Sequence, residues 1–104
     1  MKGILVEPGK APVIASLPDS LWAIENRLGC PCEMIVMPRT PAVLFVGRYD
    51  GPIQPASLIN RTYRGRQLYG PILCYGWKGN NIQPMGKAVL TEMLDRLKGM
   101  EVRV

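Results

Sequence analysis

Three guanidinium groups fall within six consecutive positions, at Arg61, Arg64 and Arg66, and no acidic residue lies within nine positions on either side. Each is a planar fork of N–H donors that matches phosphate or carboxylate oxygens. Tyr63 and Tyr69 add flat rings on which a base can stack, and Asn60 adds an amide to read a base edge or to fix the loop. Residues Asn60 to Arg66 are therefore the leading candidate for a site that takes an anionic, flat ligand. The plainer alternative is a solvated loop whose arginines pair with Glu33, Asp50 or Glu92 from elsewhere in the fold.

Charge along the chain supports the first reading. Up to Asp50 five basic residues balance five acidic ones, and from Glu92 onward three balance three. The net +5 thus sits in the 41 residues between those two acids, as Arg61, Arg64, Arg66, Lys78 and Lys87. Three of the four tyrosines and one of the two tryptophans share that stretch. Localised positive charge among aromatics suits a nucleotide, a nucleic acid or a phosphorylated metabolite.

Secondary candidates carry the same chemistry with less force. Lys78-Gly79-Asn80-Asn81 follows Trp77, and a Gly-Asn turn can aim backbone N–H groups at an anion. A plain strand-ending turn is the readier explanation, and Trp77 suits either the core or a ligand. Arg39-Thr40 between Pro38 and Pro41 is a stiff loop that displays a cation and a hydroxyl, or simply a turn.

Catalytic and metal chemistry find little support. There is no histidine, so the commonest general base near neutral pH is missing, and Ser20 and Ser57 have no evident base partner. Cys30-Pro31-Cys32 resembles half a zinc site, yet only Cys74 remains to complete it. Small buried hydrophobes at a helix-to-strand junction are the ordinary reading of that pair. No enzyme, no catalytic residue, no metal and no cofactor is expected.

These residues must be positioned by one domain, because 104 residues leave no room for a second core. Ile4-Leu5-Val6, Glu7-Pro8-Gly9-Lys10 and Val13-Ile14-Ala15 read as strand, type II turn and strand, with Pro12 marking an edge. Pro18 suits the first position of a helix carrying Leu21, Ile24 and Leu28 and stopped by Gly29. Glu33–Met37 and Val43–Gly47 read as strands, and Tyr49-Asp50-Gly51-Pro52 as a turn. From Gly51 to Gly70 periodicity fails and a long loop is expected. Ile72–Trp77 is a buried-looking strand. Leu90, Met93, Leu94 and Leu97 mark a second helix ending at Lys98-Gly99, and residues 100–104 alternate like a terminal strand. The order predicts an α+β domain: a mainly antiparallel sheet of about five strands covered on one face by two helices.

The three cysteines form an odd set and no run reaches the roughly 18–20 apolar residues of a membrane span, so a cytoplasmic protein without membrane contact is expected. A core this thin favours a homo-oligomer.

Ile4-Leu5-Val6-Glu7-Pro8-Gly9-Lys10, the pair Asn60-Arg61 and the strand Gly70-Pro71-Ile72-Leu73-Cys74-Tyr75-Gly76 resemble a small family of uncharacterised proteins encoded by bacteriophages and mobile elements. Arg64 and Arg66 depart from that pattern. The resemblance implies a viral or mobile-element protein acting in a bacterial host cytoplasm, where such small proteins often counter host defence. The expectation is a binding protein that sequesters a nucleotide-like signal through Asn60, Arg61, Tyr63, Arg64 and Arg66, with Tyr69, Trp77, Lys78 and Arg39 in support. The alternatives are a nucleic-acid-binding regulator using the same arginines, or an inhibitor docked on an acidic host protein.

Overall fold

Proline and glycine close the first hairpin where expected. β1 (Lys2–Val6) and β2 (Val13–Ser16) pair antiparallel through Lys2↔Ser16 to Leu5↔Val13. Gly9 takes φ 73° and the Lys10 N–H donates to the Glu7 carbonyl at 3.1 Å, which fits a type II turn. The computed structural model describes residues 1–48 and 59–100. The expected turn at 49–52, the first part of the expected loop and all but Met100 of the expected terminal strand lie outside them.

α1 runs Leu21–Leu28. Ser20 caps it, its Oγ accepting from the Ala23 N–H at 3.2 Å, so Pro18 stands before the helix and not at its first position. Gly29 ends it at φ 76°. β3 (Cys32–Val36) and β4 (Ala42–Gly47) follow as an antiparallel pair.

The polar stretch expected to be irregular contains a second hairpin, β5 (Ile59–Tyr63) and β6 (Arg66–Tyr69). Its turn is Arg64-Gly65, at φ 50° and 79°, between the paired Tyr63 and Arg66. Positive φ at both central residues marks the two-residue hairpin turn whose twist matches its strands. β7 (Ile72–Lys78) pairs with β8 (Asn81–Gln83) across an equivalent turn, Gly79-Asn80, and α2 spans Lys87–Gly99.

The main sheet has the order β2-β1-β7-β4-β3, every pairing antiparallel, with β8 continuing along β7 beyond β1. β2 is an edge strand, as Pro12 implied. The helices lie on opposite faces, a correction to the single covered face expected from the sequence. Ile4, Val6, Leu44, Val46, Ile72 and Cys74 pack with Leu90, Met93 and Leu97 of α2. Val43, Phe45, Leu73 and Tyr75 alternate with them and pack with Ile24 and Leu28 of α1. Burial on both faces is why β4 and β7 read as continuous apolar runs and not as alternating ones.

The cysteines follow the same division. Cys30 and Cys32 pack on the α1 side and Cys74 on the α2 side, all three as free thiols. Among the described residues no helix is long and apolar enough to cross a membrane, and no three metal-ligating side chains cluster.

Candidate functional site

Asn60 is the extra residue of a β-bulge, because Ile59 faces Tyr69 while Arg61 already faces Leu68. The bulge turns its amide into the protein, where Nδ2 donates to the Val6 carbonyl at 2.8 Å and to the Gly70 carbonyl at 2.7 Å. Arg61 is only 6 % exposed. Its Nη1 donates to Oδ1 and to the main-chain carbonyl of Asn60 at 3.0 and 3.1 Å. Its Nη2 donates to the Lys10 carbonyl at 2.8 Å and Nε to the Leu97 carbonyl at 3.3 Å. The Leu97 carbonyl belongs to the last turn of α2, where the helix dipole is negative and favours a cation. Burial still holds the Arg61 pKa below its ordinary value.

Asn60 and Arg61 therefore staple the β5–β6 hairpin to β1, to the first turn and to the end of α2. Four of its five N–H donors are engaged and the side chain is almost fully buried, so the Arg61 guanidinium is held inside the protein and not presented to a ligand. The expectation that these two residues form the centre of a binding pocket is set aside on that ground.

Arg66 meets the plainer expectation. It forms a two-pronged ion pair with Glu33, Nη2 to Oε1 at 2.9 Å and Nη1 to Oε2. The hydrogen bond from Arg66 holds the Glu33 carboxyl below its usual range. The pair ties the hairpin to the edge strand β3.

Arg64 differs from both. Its guanidinium carbon lies 5.5 Å from the centre of the Tyr63 ring, within reach of a cation–π contact, and among the described residues it makes no ion pair. It lines a cleft of about 550 Å³ together with Pro38, Arg39, Thr40, Glu92 and Arg96. Arg39 sits at the tip of the β3–β4 turn with φ 65° and likewise makes no ion pair among the described residues. Two turns remote in sequence thus bring two unpaired arginines to one cleft.

The floor of the cleft is ordered by Thr40. Its buried hydroxyl donates to Glu92 Oε1 at 2.9 Å and accepts from Arg96 Nη1 at 2.9 Å. Arg96 Nη1 also reaches the Pro38 carbonyl at 3.5 Å. Among the described residues three arginines against one glutamate give its lining a formal charge of +2. The backbone adds a second mark. Arg39, Arg64 and Asn80 are the non-glycine residues with positive φ among the described residues. Asn is at home there; arginine is not, and two strained arginines in one cleft fit strain retained for function.

Sequence reasoning missed Arg96. Its only local mark is that it stands four residues after Glu92 on α2, whereas Thr40, which fixes it, lies 56 positions away.

The aromatic candidates do not converge. Tyr63 is half-buried against the α2-side core beside Arg64. The Tyr69 hydroxyl donates to Gln67 Oε1 at 2.9 Å, and with Thr62, Gly65 and Gln67 it lines a separate depression of about 410 Å³. Trp77 belongs to the α1 face, away from the cleft. Lys78 is exposed at the β7–β8 turn, which the Asn81 side chain closes through the Gly79 carbonyl at 3.0 Å.

Comparison with known proteins adds the family and little else. The family model of a domain of unknown function, DUF3846, matches residues 1–98. No curated protein and no solved structure matches the chain.

Proposed function

Starting from the fact that the chain belongs to the DUF3846 family of unknown function, we propose that it is a non-enzymatic binding protein for a phosphorylated, nucleotide-like ligand, held at the Arg39–Arg64–Arg96 cleft. The observation that carries this reading is the convergence of two arginines, both in left-handed backbone and without an ion pair among the described residues, on one cleft lined by three arginines and one glutamate. Guanidiniums of Arg39 and Arg64 take phosphate oxygens in bidentate fashion, and Arg96, already oriented by Thr40, supplies a third positive group. Of the described candidate aromatics, Tyr63 stands next to Arg64 and is the ring on which a base stacks.

The family resemblance of Ile4–Lys10 and Asn60-Arg61 supports an origin in a phage or mobile element. In a host cytoplasm such a protein sequesters a nucleotide signal without turning it over.

Native mass spectrometry of protein purified from a bacterial host, followed by calorimetric titration with a nucleoside diphosphate, tests the reading. A retained mass or a measurable Kd that is lost in both Arg39→Ala and Arg64→Ala, with unchanged melting, is the expected result. Unchanged affinity in both variants would falsify it. A nucleic-acid surface is the second reading, favoured because both arginines stand exposed on turn tips. Affinity for oligonucleotides that falls steeply with salt distinguishes it from a site for a single nucleotide.

A further inference from the structure

The two faces of the sheet are unequally covered. One carries the 13 residues of α2 and the β5–β6 hairpin, the other only the eight of α1. Eight helical residues span about 12 Å, against about 19 Å across the five strands of the sheet path. The shortfall is visible in the side chains. Trp22 is 75 % exposed, Leu21 58 %, Val36 50 % and Met34 45 %.

Met34 is paired with Phe45 and Val36 with Val43, so both point to the α1 face, beside the helix that carries Leu21 and Trp22. These four leave on the order of 400 Å² of apolar surface open, the size of the largest patch on an ordinary monomer, and such patches are often functional. The four side chains supply about half of the roughly 800 Å² per partner of a standard interface, and a polar rim has to supply the rest.

The same patch holds a cavity of about 320 Å³, with Leu21, Met34, Phe45, Trp77 and Ile82 among its lining and Asp19, Asn80 and Asn81 contributing polar groups. An indole fits that volume. Trp22, the most exposed large apolar side chain described, stands next to Leu21 on the lining but is not itself part of it. A knob and a hole on one face, neither filling the other within the chain, are what a two-fold interface requires: each copy gives its knob and receives the other's. An apolar centre with polar groups around it is also the usual anatomy of such an interface.

We propose that the chain forms a two-fold dimer through its α1 face, with Trp22 of each copy seated in the cavity beside Leu21, Met34 and Trp77 of the second copy. The dimer leaves the arginine cleft open, because that cleft lies among α2, the β5–β6 turn and the β3–β4 turn on the other side of the sheet. This inference stands apart from the ligand reading.

Sedimentation velocity from micromolar to sub-millimolar protein tests it. The wild-type chain sediments as a dimer. Trp22→Glu removes the knob and Met34→Arg blocks the hole, and each alone weakens association at least tenfold, as loss of a central aromatic anchor does. Far-UV circular dichroism stays unchanged, since both residues face solvent in the single chain, and melting falls only by the concentration-dependent share that dimerisation supplies. Mixing the two variants restores a heterodimer through the one intact knob and hole. A wild-type chain that stays monomeric throughout overturns the proposal and gives the face to a different protein. So does a Trp22→Glu dimer as tight as wild type, or a mixture that never associates.

Discussion

Arg61 and Arg64 are three residues apart on one hairpin and have opposite fates. Arg61 follows a bulge that turns it inward, where four carbonyl and amide oxygens take its donors. Arg64 follows a tight turn that carries it outward to meet Arg39 in an open cleft. The difference is one of backbone geometry. A run of arginines is no measure of free positive charge, because main-chain carbonyls and a glutamate 33 positions away can absorb it.

The sharpest way to separate the two is stability. Arg61→Met leaves the side-chain and main-chain oxygens of Asn60 without its donors in the interior and unties the carbonyls of Lys10 and Leu97 from the hairpin. Each buried unsatisfied acceptor costs about 1–3 kcal/mol, so a loss of about 3 kcal/mol or more is expected in urea unfolding. Arg61→Lys recovers little, since one ammonium cannot reach acceptors spread around a fork. A loss under about 1 kcal/mol would show that the network stabilises nothing.

The second contrast is binding. A charge-assisted hydrogen bond to phosphate is worth about 1.5–3 kcal/mol, so Arg64→Ala or Arg39→Ala lowers nucleotide affinity by about tenfold to a hundredfold. Neither change lowers the melting temperature. Loss of stability in step with affinity would place Arg64 with Arg61 and abolish the distinction.

A third prediction turns the strain into a readout. Non-glycine residues in left-handed backbone cost about 1–2 kcal/mol, and Asn tolerates that region best. Arg64→Asn therefore gains roughly 0.5–1 kcal/mol in stability while it loses affinity, a trade expected where strain is kept for function. Unchanged stability would mean that the cation–π contact with Tyr63 already offsets the strain.

The same contrast explains how much was legible in the sequence. β1, β2, β3, β4, β7 and both helices follow from apolar periodicity with Gly and Pro punctuation. The β5–β6 hairpin was not legible, because a bulge at Asn60 breaks the period of two and its strand residues serve a polar network. Its turn is Arg-Gly where Asn-Gly is the usual signal. By contrast Gly79-Asn80 is an ordinary turn pair whose sequence marks it. Of the candidate site, Arg39 and Arg64 were marked by composition and loop context. That they meet, and that Arg96 joins them, is set by long-range packing that no local pattern records.

The smallest effect concerns Arg66, which stands between the two cases: paired like Arg61, but at the surface like Arg64. Its partner Glu33 is one-third exposed and Arg66 half exposed, so solvent screens the pair and Arg66→Ala costs at most about 1 kcal/mol. The pH dependence has a fixed sign. Because the folded Glu33 carboxyl titrates below its unfolded value, its contribution is complete above the ordinary carboxylate range. It is lost as pH falls through the depressed folded value. Wild type should therefore lose its small advantage over Arg66→Ala between neutral and strongly acidic pH, and half-molar salt at neutral pH should shrink it as well. An advantage that survives both acid and salt would mean that the stem of Arg66, packed beside Tyr63 on the same face of the hairpin, matters more than its charge.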